Sequence, residues 1–110
     1  MERYIGLDVH AASCTAAVID ARGKRVGPPH VLETNGQVLV EFVKLQPGNV
    51  HLCIEEGTQS AWLVEILGPH VAEIVVIHIS ESRGPKNDAL DAFSLAERLR
   101  SGSLVTKVFK

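Results

Sequence analysis

Aromatic side chains are scarce in this chain. Its 110 residues include one Trp, one Tyr and three Phe, with a single Met. Aliphatic residues must therefore fill any core. At 45% hydrophobic composition there is material for one compact domain and too little for two. No apolar run approaches the roughly 20 residues of a membrane-spanning helix. Met1-Glu2-Arg3-Tyr4 leads straight into a strand-like pattern, with no signal peptide. These absences point to a cytoplasmic protein with no membrane partner. The two cysteines, Cys14 and Cys53, stand far apart and form no metal-ligand or redox spacing, so they read as buried, reduced thiols. A surplus of positive charge is also missing. The net charge is −2, whereas a phosphate-gripping protein ordinarily shows a basic surface. Either the acids are concentrated in a metal site, where cations reverse the local field, or a basic part belongs to a region outside this chain.

What is present is a regular alternation of patterns. Arg3 to His10 alternates, with Ile5, Leu7 and Val9 on one side and Tyr4, Gly6, Asp8 and His10 on the other. Cys14 to Asp20 is a second strand, close enough for a hairpin through Ala11-Ala12-Ser13. A third, around Arg25 to Leu32, is interrupted by Pro28-Pro29 and so belongs at a sheet edge. Thr34-Asn35-Gly36-Gln37 fits a capping box with Thr34 as N-cap. The helix it opens runs to about Gln46, with Val38, Leu39, Phe42 and Leu45 on one face. Val50 to Glu55 is a fourth strand, and a second helix follows that buries Trp62, Leu63, Ile66 and Leu67. Val71 to His78 is apolar throughout, as in a parallel strand covered on both faces. The last helix spans roughly Asp88 to Arg100, with a stripe of Ala92, Leu95, Ala96 and Leu99 and Gly102 as its stop. The order is βββαβαβα, an α/β fold with an antiparallel hairpin extended by parallel strands. Residues from Leu104 onward have no evident partner.

Four acids carry the chemistry. Asp8 stands in an apolar strand, where a charge costs several kcal/mol unless paired or bound to a cation; a solvated strand end explains it equally well. Glu55 and Glu56 end the fourth strand. Alternation puts Glu55 with His51 and Cys53, and a parallel neighbouring strand would bring it toward Asp8 at the carboxyl ends, where open α/β sheets hold their sites. Asp88 and Asp91 are three apart at a helix start and share one side of its first turn, a place the helix dipole also favours for purely structural acids. Gathered in one cleft, four carboxylates would repel one another, and a divalent cation removes the conflict. Hard oxygen donors suit Mg²⁺ or Mn²⁺, and two such ions about 4 Å apart serve phosphodiester displacement. His10 shares the face of Asp8 and would line the cleft; His51 and His78 read as hydrogen-bonded core histidines.

Tyr4-Ile5-Gly6-Leu7-Asp8-Val9-His10, Ile54-Glu55-Glu56-Gly57-Thr58 and Lys86-Asn87-Asp88-Ala89-Leu90-Asp91-Ala92 occur in this order across nearly the whole chain. Together they resemble the DEDD transposases of bacterial insertion sequences, relatives of the Piv invertase with an N-terminal RuvC-like domain. The resemblance implies an RNase H-like fold over 1–102 and a catalytic, metal-binding set of Asp8, Glu55, Asp88 and Asp91. Glu55 is preferred to Glu56 because its face matches that of Asp8. Lys86 and His10 would meet the nucleic acid. It further implies DNA as substrate, Mg²⁺ or Mn²⁺ as cofactor, and, for full-length members, oligomeric assembly, a structured guide RNA and a second domain with a serine nucleophile. Residues 103–110 would then lead toward a linker and that second domain. Two other functions share parts of the pattern: a RuvC-like Holliday-junction nuclease, with the same acids, and an actin-like phosphotransferase half, whose first hairpin also reads apolar-Gly-apolar-Asp. The absence of a glycine in the turn after Asp8 counts against the last.

Overall fold

The computed structural model describes residues 1–77 and 92–102 in full and 106–109 as backbone. Strands β1 (Glu2–Val9) and β2 (Ser13–Asp20) form the expected hairpin, with Gly6 opposite Ala17 and Asp8 opposite Thr15. The edge strand β3 (His30–Glu33) is shorter than the sequence pattern suggests, because the prolines confine pairing to the residues after them. Helix α1 (Gly36–Lys44) crosses to β4 (Asn49–Glu55), which lies parallel to β1. Helix α2 (Ser60–Leu67) and a short 3₁₀ turn lead to β5 (Glu73–Ile77), parallel to β4. Helix α3 (Ala92–Ser101) and β6 (Thr106–Phe109) follow. The sheet order is β3-β2-β1-β4-β5-β6. This mixed sheet with helices on it is the α/β, RNase H-like arrangement expected. Within the expected tail, Thr106–Phe109 pair antiparallel with β5 and form the outer strand on that side.

Alternation along the strands divides the interior in two. Ile5, Leu7, Val18, Leu52, Ile54 and Ile74 point to one face, where Leu39 and Val43 of α1 and Leu63 and Leu67 of α2 cover them. On the other face Cys53, Val75 and Ile77 meet Leu95 and Leu99 of α3, with Tyr4 at the margin. The α3 stripe of Ala92, Leu95, Ala96 and Leu99 is buried as the spacing requires. Two other stripes are narrower than expected. Leu45 is 80% exposed and Trp62 37% exposed. Leu45 lies past the last turn as C-cap, and in each short helix only one i, i+4 pair, Leu39/Val43 or Leu63/Leu67, is fully buried.

The N-cap of α1 is Asn35, not Thr34. The Asn35 side-chain oxygen accepts the N–H groups of Gln37 (2.9 Å) and Val38 (3.2 Å). Thr34 has another task. Its hydroxyl donates to the His10 carbonyl at 2.7 Å, its N–H donates to the Ala12 carbonyl, and its oxygen lies 3.3 Å from the Cys14 sulfur. Both cysteines are free and buried.

Helix α3 packs closely because the sheet below it is thin. A Cβ at Gly6 would collide with the Ala92 carbonyl and lie 2.7 Å from the Ala96 nitrogen. Its edges are fixed from the β2–β3 connection. The Arg25 guanidinium sits 4.0 Å from the centre of the Phe93 ring, and Arg100, paired with Glu97 at 2.6 Å, also donates to the Ala21 carbonyl.

Candidate carboxylate site

The last paired residues of β1 and β4 are Leu7 and Ile54. One step further along each strand stand Asp8 and Glu55. Both belong to the face that α3 covers, since Gly6 and Cys53 precede them by two. The helix begins beside them: Ala92 rests on Gly6, two residues before Asp8. Neither carboxylate is fully buried; the Asp8 side chain is 23% exposed.

Glu55 responds to this setting. Partial burial pushes the Glu55 carboxyl above its usual range, and the negative charge of Asp8 pushes it further, while His10 pulls it back. His10 Nε2 lies 3.4 Å from Asp8 Oδ1, an ion pair when the ring is protonated. The backbone of His10 is fixed by its N–H bond to the Ser13 carbonyl and by Thr34. Glu56 is exposed and belongs to the opposite alternation; its N–H donates to the Ile77 carbonyl at 2.8 Å, which carries the strand end past β5. Sequence alternation therefore placed Glu55 beside Asp8 correctly. Asp88, Asp91 and Lys86 lie outside the described residues. Among those described, no group of three His, Cys, Asp or Glu side chains is arranged to hold a metal ion. What the described part supplies is a pair of mutually repelling oxygen donors with a histidine at the rim. Cys53 adds no soft ligand, because burial pushes its thiol up to about 12 and keeps it protonated.

A second ionisable cluster escaped the sequence reading. At the far end of β4, His51 bridges two glutamates: Nε2 is 2.6 Å from Glu2 and Nδ1 is 2.9 Å from Glu73. Tyr4 stacks on the ring at 4.7 Å. The His51 bond, with help from Asn49, holds the Glu2 carboxyl below its usual range. The cluster ties β1, β4 and β5 together, so the expected core histidine is here a half-open polar staple. Strand alternation was visible in the sequence; the register that brings these three residues together was not.

The geometry brings the acids of two motif segments to one sheet face, and the family comparison spans nearly the whole chain. The model of the IS110-type DEDD family, described as transposase, matches residues 5–109. This chain belongs to that transposase family. No curated protein matches it. As a transposase-family domain it has DNA as its implied partner, and the actin-like phosphotransferase reading is set aside. No helix among the described residues is long and apolar enough to cross a membrane.

Proposed function

We propose that this chain is the catalytic, divalent-cation-binding domain of a DNA transposase, with Asp8, Glu55, Asp88 and Asp91 as the ligands. The reading rests on one observation: Asp8 and Glu55 meet on one sheet face, close enough to raise the Glu55 carboxyl, at the point where α3 begins. The donor set fits a hard ion. It is all oxygen, electrostatically frustrated without a cation, and open to solvent on one side. Asp88 and Asp91 precede α3 directly in the chain and would complete the set.

Each residue then has a defined part. Asp8 and Glu55 are held by the parallel ladder, so their spacing is set by the sheet. His10 orients the Asp8 carboxylate from the rim and meets the DNA backbone, and Lys86 meets a phosphate beside the site. Mg²⁺ or Mn²⁺, when bound, supplies charge stabilisation for the attacking and leaving oxygens in DNA strand breakage and joining. The domain works in the cytoplasm, within an assembly of full-length subunits and with a structured RNA as guide.

Thermal melting with millimolar Mg²⁺ or Mn²⁺ tests the reading. The ions should raise the melting temperature of the wild type, by linkage, and leave Asp8→Asn unmoved. An unchanged wild-type melting curve overturns the metal site. Incubation with branched DNA and Mn²⁺ separates a transposase domain from a junction nuclease: hydrolysis by this chain alone favours the nuclease.

A further inference from the structure

The positive charge that composition withheld gathers at the other end of β1. An open pocket of about 340 Å³ is lined there by Arg3, Arg22 and Lys24, together with Glu2 and Asp20. Both carboxylates are already engaged. Asp20 Oδ1 accepts the backbone N–H groups of Arg22 and Lys24, each at 2.9 Å, and these bonds hold its carboxyl below the usual range. Glu2 is bound to His51 and Asn49. The cations are less fully served. Arg22 and Lys24 are exposed, and Arg3 has its Nε buried without a hydrogen-bond partner among the described residues. Such an orphaned donor in a native fold calls for an acceptor.

The pocket is also built. Gly23 takes a positive φ of 88° and donates to the Asp20 carbonyl at 2.9 Å, while Asp20 N–H donates to the Lys24 carbonyl at 2.9 Å. Arg22 and Lys24 are therefore displayed from a turn whose backbone is already ordered, and only their exposed side chains lose freedom on binding. A tetrahedral oxyanion between three cations is the ligand this chemistry takes.

We propose that Arg3, Arg22 and Lys24 hold a backbone phosphate of the DNA on which this domain acts. The inference rests on DNA as partner, but not on the carboxylate site. Arg3 stands five steps before Asp8 on β1, about 17 Å at the rise of a β-strand, and on the other side of the alternation. The phosphate held there is not the reacting one. The pocket anchors the duplex away from the chemistry, and it answers how a chain of net charge −2 grips a polyanion: the cations are few and local.

Fluorescence anisotropy of a labelled 25-base-pair duplex, titrated with the chain at 50–200 mM NaCl, provides the test. Each phosphate contact contributes about 0.9 to the slope of log affinity against log salt. Arg22→Gln/Lys24→Gln should flatten the wild-type slope by up to about 0.9, the share of one phosphate, and Arg3→Gln by no more than that. Lys44→Gln, in the last turn of α1, should leave it unchanged. The double variant touches only exposed side chains and keeps the backbone bonds to Asp20, so it stays folded, whereas Arg3→Gln alters a half-buried residue of β1; melting curves check both. A double variant with wild-type affinity and slope overturns the proposal. So does a loss in Lys44→Gln equal to that in the double variant, or a wild type that does not bind at 50 mM salt. Stabilisation by Mn²⁺ is read separately, so failure of the pocket and failure of the carboxylate site are distinguishable.

Discussion

The two faces of the sheet are built on different principles. The α1/α2 face is a deep aliphatic layer: Leu39, Leu52, Ile54, Leu63 and Leu67 are each at most 1% exposed. The α3 face is shallow. Gly6, Ala17, Ala92 and Ala96 let one helix lie almost on the backbone, and only Leu95, Leu99 and their strand partners form a true cluster. All the candidate chemistry among the described residues, Asp8, His10 and Glu55, borders the shallow face. A thick layer stabilises through buried area, at about 25 cal/mol per Å². A thin layer brings a helix start within reach of a strand end, which a wall of Leu and Ile would prevent.

Three substitutions would break or sharpen that contrast. The largest effect is expected on the thick face. Leu52→Ala should cost about 2–5 kcal/mol, read as a lower urea midpoint at unchanged slope. Next is Gly6→Ala, at about 1–3 kcal/mol, because the new methyl meets helix backbone that cannot rotate away. Its signature is selective. Amide hydrogen exchange should speed up in α3 and stay slow in α1; equal acceleration in both would show that the faces are not separable.

The smallest effect has the opposite sign. Burial and the Asp8 charge raise the folded-state pKa of Glu55 above its unfolded value. Ionisation then disfavours the fold. The penalty is complete above the folded pKa and vanishes as pH falls to the unfolded value. Glu55→Gln should therefore raise the metal-free melting temperature at pH 7, by about 1–3 °C, since solvent screens much of the interaction. The difference should shrink in mild acid. A variant less stable than the wild type at pH 7 without metal would mean that Glu55 is not in conflict with Asp8.

The sequence was most informative where one local period decides the outcome. The α3 stripe and the alternation of β1 and β4 each follow from spacing alone, and alternation was enough to separate Glu55 from Glu56. It was least informative where the third dimension intervenes. Leu45 and Trp62 fit a helical stripe but lie at its margins. Thr34 fits a capping box, yet its hydroxyl is taken by the β1–β2 turn. β6 is four residues whose only reason to be a strand is the open edge of β5. Arg3, Arg22 and Lys24 come from a strand and a turn and share no period. The Glu2–His51–Glu73 staple depends on register between three strands.

Gly6 sits two residues before Asp8, so the pair reads as a single catalytic signature. The packing of α3 separates them. Position 6 answers to the helix above it and position 8, on the proposed function, to the metal. Among sequences selected only for folding, glycine would persist at 6 while the acid at 8 drifted. Selection for function would be visible at 8 alone.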